Sequence, residues 1–168
     1  MNYRKQLIVR LFEMSEKFYT GHFKKNKQPW NLTRSELLVY PKKSFGHYLG
    51  EFLTENNFEL IPKVERHDAY HVLTGYGTKV EDEIALQYVC FGNGKRSLYL
   101  FGVMILGTLL LPDYMSYYIR SLKTGRNAHA FHHWDFSKML HTSLEEMRTA
   151  VFPKHYIDTL KSSYYLTP

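Results

Sequence analysis

The chain has 168 residues, a length that suits one domain with a real hydrophobic core and leaves little room for a second. Its single cysteine, Cys90, excludes an internal disulfide and sits in the apolar run Tyr88-Val89-Cys90-Phe91, where inert packing is expected. The formal charge of +6 favours anionic partners; no finger, glycine-rich aromatic sheet motif or recognition helix accompanies it, so nucleic acid is set aside and an anionic membrane surface is preferred.

From the N-terminus, residues 3 to 20 read as a helix ending near Gly21, with Tyr3, Leu7, Ile8, Leu11, Phe12 and Phe18 on one face and Arg and Lys alongside. That stripe fits either a membrane-surface helix or a core-packed helix with a solvated rim. Charges, Glu13 and Glu16 among them, run through it to Lys17, so it reads as neither a secretory signal nor an organelle presequence. Residues 22 to 43 are polar and basic, contain Pro29 and Pro41, and read as a connection.

Ser44 is placed to cap a helix whose apolar positions Phe45, Tyr48, Leu49, Phe52 and Leu53 follow helical spacing, with Asn56-Asn57 closing it. After Pro62, a helix over residues 66 to 75 gives way to the glycine turn Thr74-Gly75-Tyr76-Gly77-Thr78, then to a helix from 79 to 91 that stops at Gly92-Asn93-Gly94. Ile84, Leu86, Tyr88 and Val89 point around most of that helix, which is expected to be central.

The stretch Leu98 to Leu111 is the most hydrophobic in the chain. It falls short of the roughly 20 residues a bilayer span needs and predicts a buried helix, with Gly102 and Gly107 admitting a neighbouring helix or a prenyl chain. A further helix from Asp113 to about Thr124 carries Tyr114, Tyr117, Tyr118 and Leu122 and is expected to end at Gly125. Arg126 follows, either as a surface residue or as a fork for a phosphate or carboxylate head group. His129, His132 and His133 lack regular ligand spacing and read as a loop before a helix capped by Asp135. Thr142 to Glu145, or Ser143 to Glu146, offers a capping box for a last short helix near Phe152-Pro153. No strand pattern competes, so the expected fold is an all-α, single-domain helical bundle over residues 1 to 168.

Chemistry concentrates in His67-Asp68-Ala69-Tyr70-His71, followed by eleven residues and Glu83. On a helix, His67 and His71 are one turn apart on one face and can reach a single ion. Asp68, rotated about 100° from His67, either ligates from the side or orients a histidine. Glu83 returns on the next helix, which predicts a metal site between two central helices. Two nitrogen and up to two oxygen donors suit Zn²⁺ first, with Fe²⁺ or Mn²⁺ also accepted. The bland alternative is two partly buried histidines bonded to backbone beside ordinary surface acids.

The arrangement His-Asp-x-x-His-x11-Glu, with Leu73 to Thr78 inside it and Glu83-Ile84-Ala85-Leu86-Gln87 after it, resembles the signature of the ubiquinone (coenzyme Q) biosynthesis protein four family. Ser44-Phe45-Gly46 with Tyr48, Phe52 and Leu53 is similar to the family's upstream helix. Gly125-Arg126, Trp134 and Leu144-Glu145-Glu146-Met147-Arg148 are similar to its C-terminal part. Together these cover about residues 40 to 152.

The resemblance implies an all-helical fold with the ion held by His67, Asp68, His71 and Glu83. It also implies action on a polyprenylated hydroxybenzoate-type quinone precursor, as an oxidative decarboxylase at ring carbon one or as an organiser of the biosynthetic complex. The partners it brings are an isoprenoid lipid, other quinone-biosynthesis proteins and a membrane surface contacted peripherally. The expected location is the cytoplasmic face of a bacterial membrane, with the mitochondrial matrix face for eukaryotic relatives; the sequence leaves room for a homo-oligomer. Competing readings are a lipid-binding scaffold with a structural zinc, and a metal phosphohydrolase, since His-Asp doublets occur there too. Against the latter stands the lack of a convincing set of upstream histidine and downstream aspartate around the doublet. No flavin or dinucleotide motif accompanies the site, so an oxidant would be dioxygen or a partner's product.

Overall fold

Local signals in the chain account for most helix boundaries in the computed structural model, which describes residues 3–7, 10 and 28–164. Residues 3–7 are helical, and the rest of the amphipathic stripe expected to run to Gly21 lies outside the described residues, except for residue 10. Lys5 pairs with Glu81 at 2.8 Å, docking this segment on the rest of the fold.

The connection expected before Ser44 holds a short helix, α1 (Arg34–Leu38). Its signal is a capping box: the Thr33 hydroxyl accepts from the Glu36 N–H, and the Glu36 carboxylate accepts from the Thr33 N–H. The fully buried Leu37 anchors it. Helix α2 (Phe45–Glu55) starts as expected, with the Ser44 side chain accepting from the His47 N–H at 3.2 Å, and Asn56 closes it.

Helix α3 (Glu65–Thr74) ends at Gly75, whose φ of 74° is the left-handed conformation that glycine adopts without a Cβ penalty. Helix α4 (Val80–Gly92) runs back from that turn with Ile84, Leu86, Val89 and Cys90 fully buried, and is central as expected. The main core packs Leu49 and Leu53 of α2, Tyr70 and Leu73 of α3, and Leu86 and Val89 of α4 against Phe131, Phe136, Leu144, Met147 and Val151. Each such side chain contributes roughly 1.5–3 kcal/mol by leaving water.

Helix α5 (Leu98–Leu110) overturns the expectation of a buried helix. Only the stripe Leu100, Val103 and Gly107 is buried, spaced as one helical face that rests on α4. Leu98, Ile105 and Leu109 are 82%, 60% and 72% exposed, and Phe101 and Leu106 are open as well. Hydrophobicity alone made this helix look interior, whereas it lies on the outside of α4 with one side covered. Among the described residues no single helix is long and apolar enough to cross a membrane, and α5 meets the following segment at a bend of 104°.

After a 3-10 turn at Pro112–Tyr114, α6 (Met115–Asn127) continues past Gly125, which was expected to end it. Gly125 is buried where α6 crosses α4, and a Cβ there would run into the Val89 carbonyl oxygen. Close backbone approach, not chain reversal, is what this glycine serves. Asp135 precedes only a 3-10 turn, Phe136–Lys138, and accepts from the Ser137 hydroxyl at 2.6 Å. Of the two caps the sequence offers, α7 (Leu144–Val151) uses Ser143, whose hydroxyl accepts from the Glu146 N–H at 3.4 Å, and α8 (Lys154–Tyr164) follows Pro153. The described residues are all helix and loop, with one isolated antiparallel bridge between Ser44 and Ser143.

Candidate metal centre

The α3–turn–α4 hairpin brings His67, His71 and Glu83 together. One donor atom from each lies within 4.8 Å of the other two. His67 Nε2 is 3.0 Å from Glu83 Oε2, His71 Nε2 is 3.2 Å from Glu83 Oε1, and the two Nε2 atoms are 3.2 Å apart. Donors held at about 2.0–2.1 Å around a tetrahedral ion are separated by about 3.3 Å, so this spacing fits a divalent cation.

The hydrogen bonding around the donors points the same way. His71 Nδ1 is 3.0 Å from the Tyr76 carbonyl oxygen, to which it can only donate, so the neutral ring directs the Nε2 lone pair at the cluster. Glu83 presents acceptors only. Three lone-pair-bearing atoms facing one another suit a cation, and without one a proton must take its place.

The electrostatics of that proton follow from burial. Desolvation opposes charge on His71, but the Glu83 carboxylate and the Tyr76 carbonyl outweigh it and raise its pKa above the ordinary imidazole value. Burial likewise pushes the Glu83 carboxyl up, and the facing His67 and His71 more than reverse this, holding it well below the usual carboxylate range. The His71 ring is almost fully enclosed, stacked on Phe52 with centroids 5.3 Å apart, whereas the side chains of His67 and Glu83 are 30% and 22% exposed. Any ligand therefore approaches from the His67 and Glu83 side.

Asp68 is half-buried, stands outside the trio and acts on His71 electrostatically, favouring its charged form. Arg126 is exposed in the last turn of α6, its backbone against Gly92. Gly92 is nine residues beyond Glu83, about 13 Å along α4 at 1.5 Å per residue.

Two residues outside the His-Asp-x-x-His-x11-Glu motif support the site. Arg148 of α7, 9% exposed, donates to the carbonyls of Val72 (2.8 Å) and Leu73 (3.2 Å), and Tyr156 of α8 donates to that of Thr74 (2.7 Å). These are the orphan carbonyls at the end of α3, next to His71, where a cation also complements the helix dipole. Arg148 lies in the Leu144 to Arg148 block already singled out, but nothing in its spacing reveals which carbonyls it meets.

The fold and site together define an all-helical protein with a candidate two-histidine, one-carboxylate centre at a helix hairpin. Residues 62–152 match the model of the family Coenzyme Q (ubiquinone) biosynthesis protein Coq4, and the chain belongs to that family. Membership gives it a role in quinone biosynthesis. A solved structure with a similar fold is the crystal structure of a candidate ubiquinone biosynthesis protein from Nostoc punctiforme. It has a TM-score of 0.63 and 17% identity, over 90% of this chain and 82% of that one. No curated protein matches the chain in sequence.

Proposed function

We propose that the protein binds a polyprenylated hydroxybenzoate-type precursor of quinone biosynthesis at a divalent metal and acts in its oxidative decarboxylation at ring carbon one. The observation that carries this reading is the trio of donors at near-tetrahedral spacing, within a chain of the ubiquinone biosynthesis family. His67, His71 and Glu83 would hold the ion, with Zn²⁺ the first fit to this donor set and Fe²⁺ or Mn²⁺ accepted by it. When bound, such an ion polarises a carboxylate oxygen of the substrate and stabilises charge that builds as the carbon–carbon bond breaks. Replacing the carboxyl by a hydroxyl is a two-electron oxidation, for which the oxidant would be dioxygen or a partner's product.

The chain's own residues do the rest. Phe52 and the Tyr76 carbonyl fix the His71 ring and keep water from its inner face. The outward side of α5, with Leu98, Phe101, Ile105, Leu106 and Leu109, offers an apolar surface to an isoprenoid tail or to a bilayer containing it. In the same reading Arg126 is the contact for an anionic head group, and the protein sits peripherally on the membrane face of its compartment among other quinone-biosynthesis proteins.

A second reading, a non-catalytic lipid-binding scaffold whose zinc pins α3 to α4, is favoured by the near-complete enclosure of His71. Carboxyl-labelled prenylated hydroxybenzoate in vesicles, with the iron-loaded or zinc-loaded protein and dioxygen, separates the two. The enzyme reading expects labelled carbon dioxide from the wild type and none from a folded Glu83→Ala variant. Equal release from both, or release from neither while the variant loses only stability, overturns it.

A further inference from the structure

Between α6 and the start of α8 lies a cavity of about 280 Å³. Arg120, Lys123 and Asn127 line it from α6, where spacings of three, four and seven residues put side chains on one helix face. His155 closes it from α8, and Pro153 and the Tyr156 ring supply an apolar wall. No carboxylate lines the cavity, and among the described residues neither Arg120, Lys123 nor His155 is ion-paired with one. The Asn127 amide adds two donors, whereas the Thr124 hydroxyl beside it is spent on the Arg120 carbonyl at 3.2 Å. The backbone of α8 contributes as well. The N–H groups of Lys154 and His155 open its first turn and have no acceptor inside the helix, while those of Tyr156 and Ile157 are bonded to the Pro153 carbonyl. Two permanent cations, a histidine, an amide and the positive end of a helix dipole thus meet at one small space, and their mutual repulsion is relieved by an anion there.

We propose that this cavity binds the phosphate group of a phosphorylated ligand. Arg120 offers a fork matched to two phosphate oxygens, Lys123 a point charge, and the first turn of α8 N–H donors for a further oxygen. A dianion suits the set better than a carboxylate, because Arg120 and Lys123 together neutralise two charges with His155 left neutral. Occupancy also ties α6 to α8. Tyr156 donates to the Thr74 carbonyl at 2.7 Å, so a bound phosphate braces a residue that closes the end of α3 and raises the melting temperature of the folded chain.

Titration of phenyl phosphate and of pyrophosphate into the metal-free full chain, where no bound ion competes for the ligand, tests this by calorimetry and by melting temperature. The wild type shows saturable binding and a rise in melting temperature. R120M/K123M loses about tenfold or more in affinity, and the rise with it. K42M/K138M, which removes the same charge from two exposed lysines outside the cavity, stays within about twofold of the wild type. N127L leaves the charge alone and weakens binding by about threefold or more; it decides the matter if R120M/K123M does not fold, as judged by its melting curve without ligand. Flotation with phosphatidylcholine vesicles containing phosphatidic acid identifies the source of the phosphate. A lipid headgroup is the ligand if flotation falls in R120M/K123M alone, and a soluble ester if only the soluble titrations respond. Binding and flotation that are the same in R120M/K123M as in the wild type, or an equal loss in both double variants, overturns the site. None of these readouts involves the histidine pair, so the reading given under Proposed function stands or falls separately.

Discussion

Replacing Arg148 by methionine removes two hydrogen bonds from the end of α3 while keeping an unbranched apolar stem in the same space. The carbonyls of Val72 and Leu73 are then left without their charged donor in the interior. A buried acceptor stripped of its partner costs about 1–3 kcal/mol, so loss of both is expected to destabilise the fold by about 3 kcal/mol. For a chain of this size each kcal/mol moves the melting temperature by roughly 2–4 °C, which gives a fall of about 6–12 °C. Differential scanning calorimetry of the metal-free protein measures it without ligand linkage. Arg126→Met, at an exposed position, is the control and stays within about 0.5 kcal/mol of the wild type. A melting temperature for R148M within about 2 °C of the wild type would refute the reasoning, because it would mean that water replaces the guanidinium at no cost.

In the metal-free protein His71 has a raised pKa, so its contribution is complete below about pH 6.5 and is lost as pH rises through the folded value. Glu83 has a depressed pKa, so its contribution is present above about pH 4.5 and is lost as pH falls through its folded value. Melting temperature against pH is expected to peak between these limits, and H71N and E83Q to flatten the peak. Metal affinity runs the other way, weakening as pH falls because the ion must displace the His71 proton. Two glycine substitutions should part company in chemical denaturation. Gly125→Ala forces a methyl into the Val89 carbonyl and costs about 1–3 kcal/mol or more, whereas Gly102→Ala, with nothing within 4 Å of the added carbon, gains up to about 1 kcal/mol of helix propensity. Ile105→Ser with Leu109→Ser leaves stability within about 1 kcal/mol, yet should abolish co-sedimentation with anionic vesicles; unchanged sedimentation would rule α5 out as the lipid-facing surface.

The hairpin that carries the centre was legible because its signals are local. The one-turn spacing of His67 and His71, the glycine that reverses the chain at residue 75 and the apolar residues around α4 depend on neighbours in sequence, and the structure follows them. Ser44 and Ser143 were legible as caps for the same reason. What was not legible depends on partners far along the chain. Leu98 to Leu110 is apolar on every side, so its composition cannot say which stripe α4 covers. Gly125 is equally compatible with a helix end and a helix crossing until Val89 is placed against it. The sequence left Asp68 as either a ligand or a residue that orients a histidine, and the approach of α4 to α3 brings Glu83 to the two histidines.

The closure of α3 by Arg148 and Tyr156 sets an order of events during synthesis. All three donors leave the ribosome within a stretch of 17 positions, while Arg148 and Tyr156, which seal the helix end beside His71, stand 75 and 82 residues beyond the Leu73 and Thr74 carbonyls they meet. A nascent chain therefore exposes its imidazoles and carboxylate before the residues that close the end of α3 have been made, and ion capture in the final geometry waits for α7 and α8.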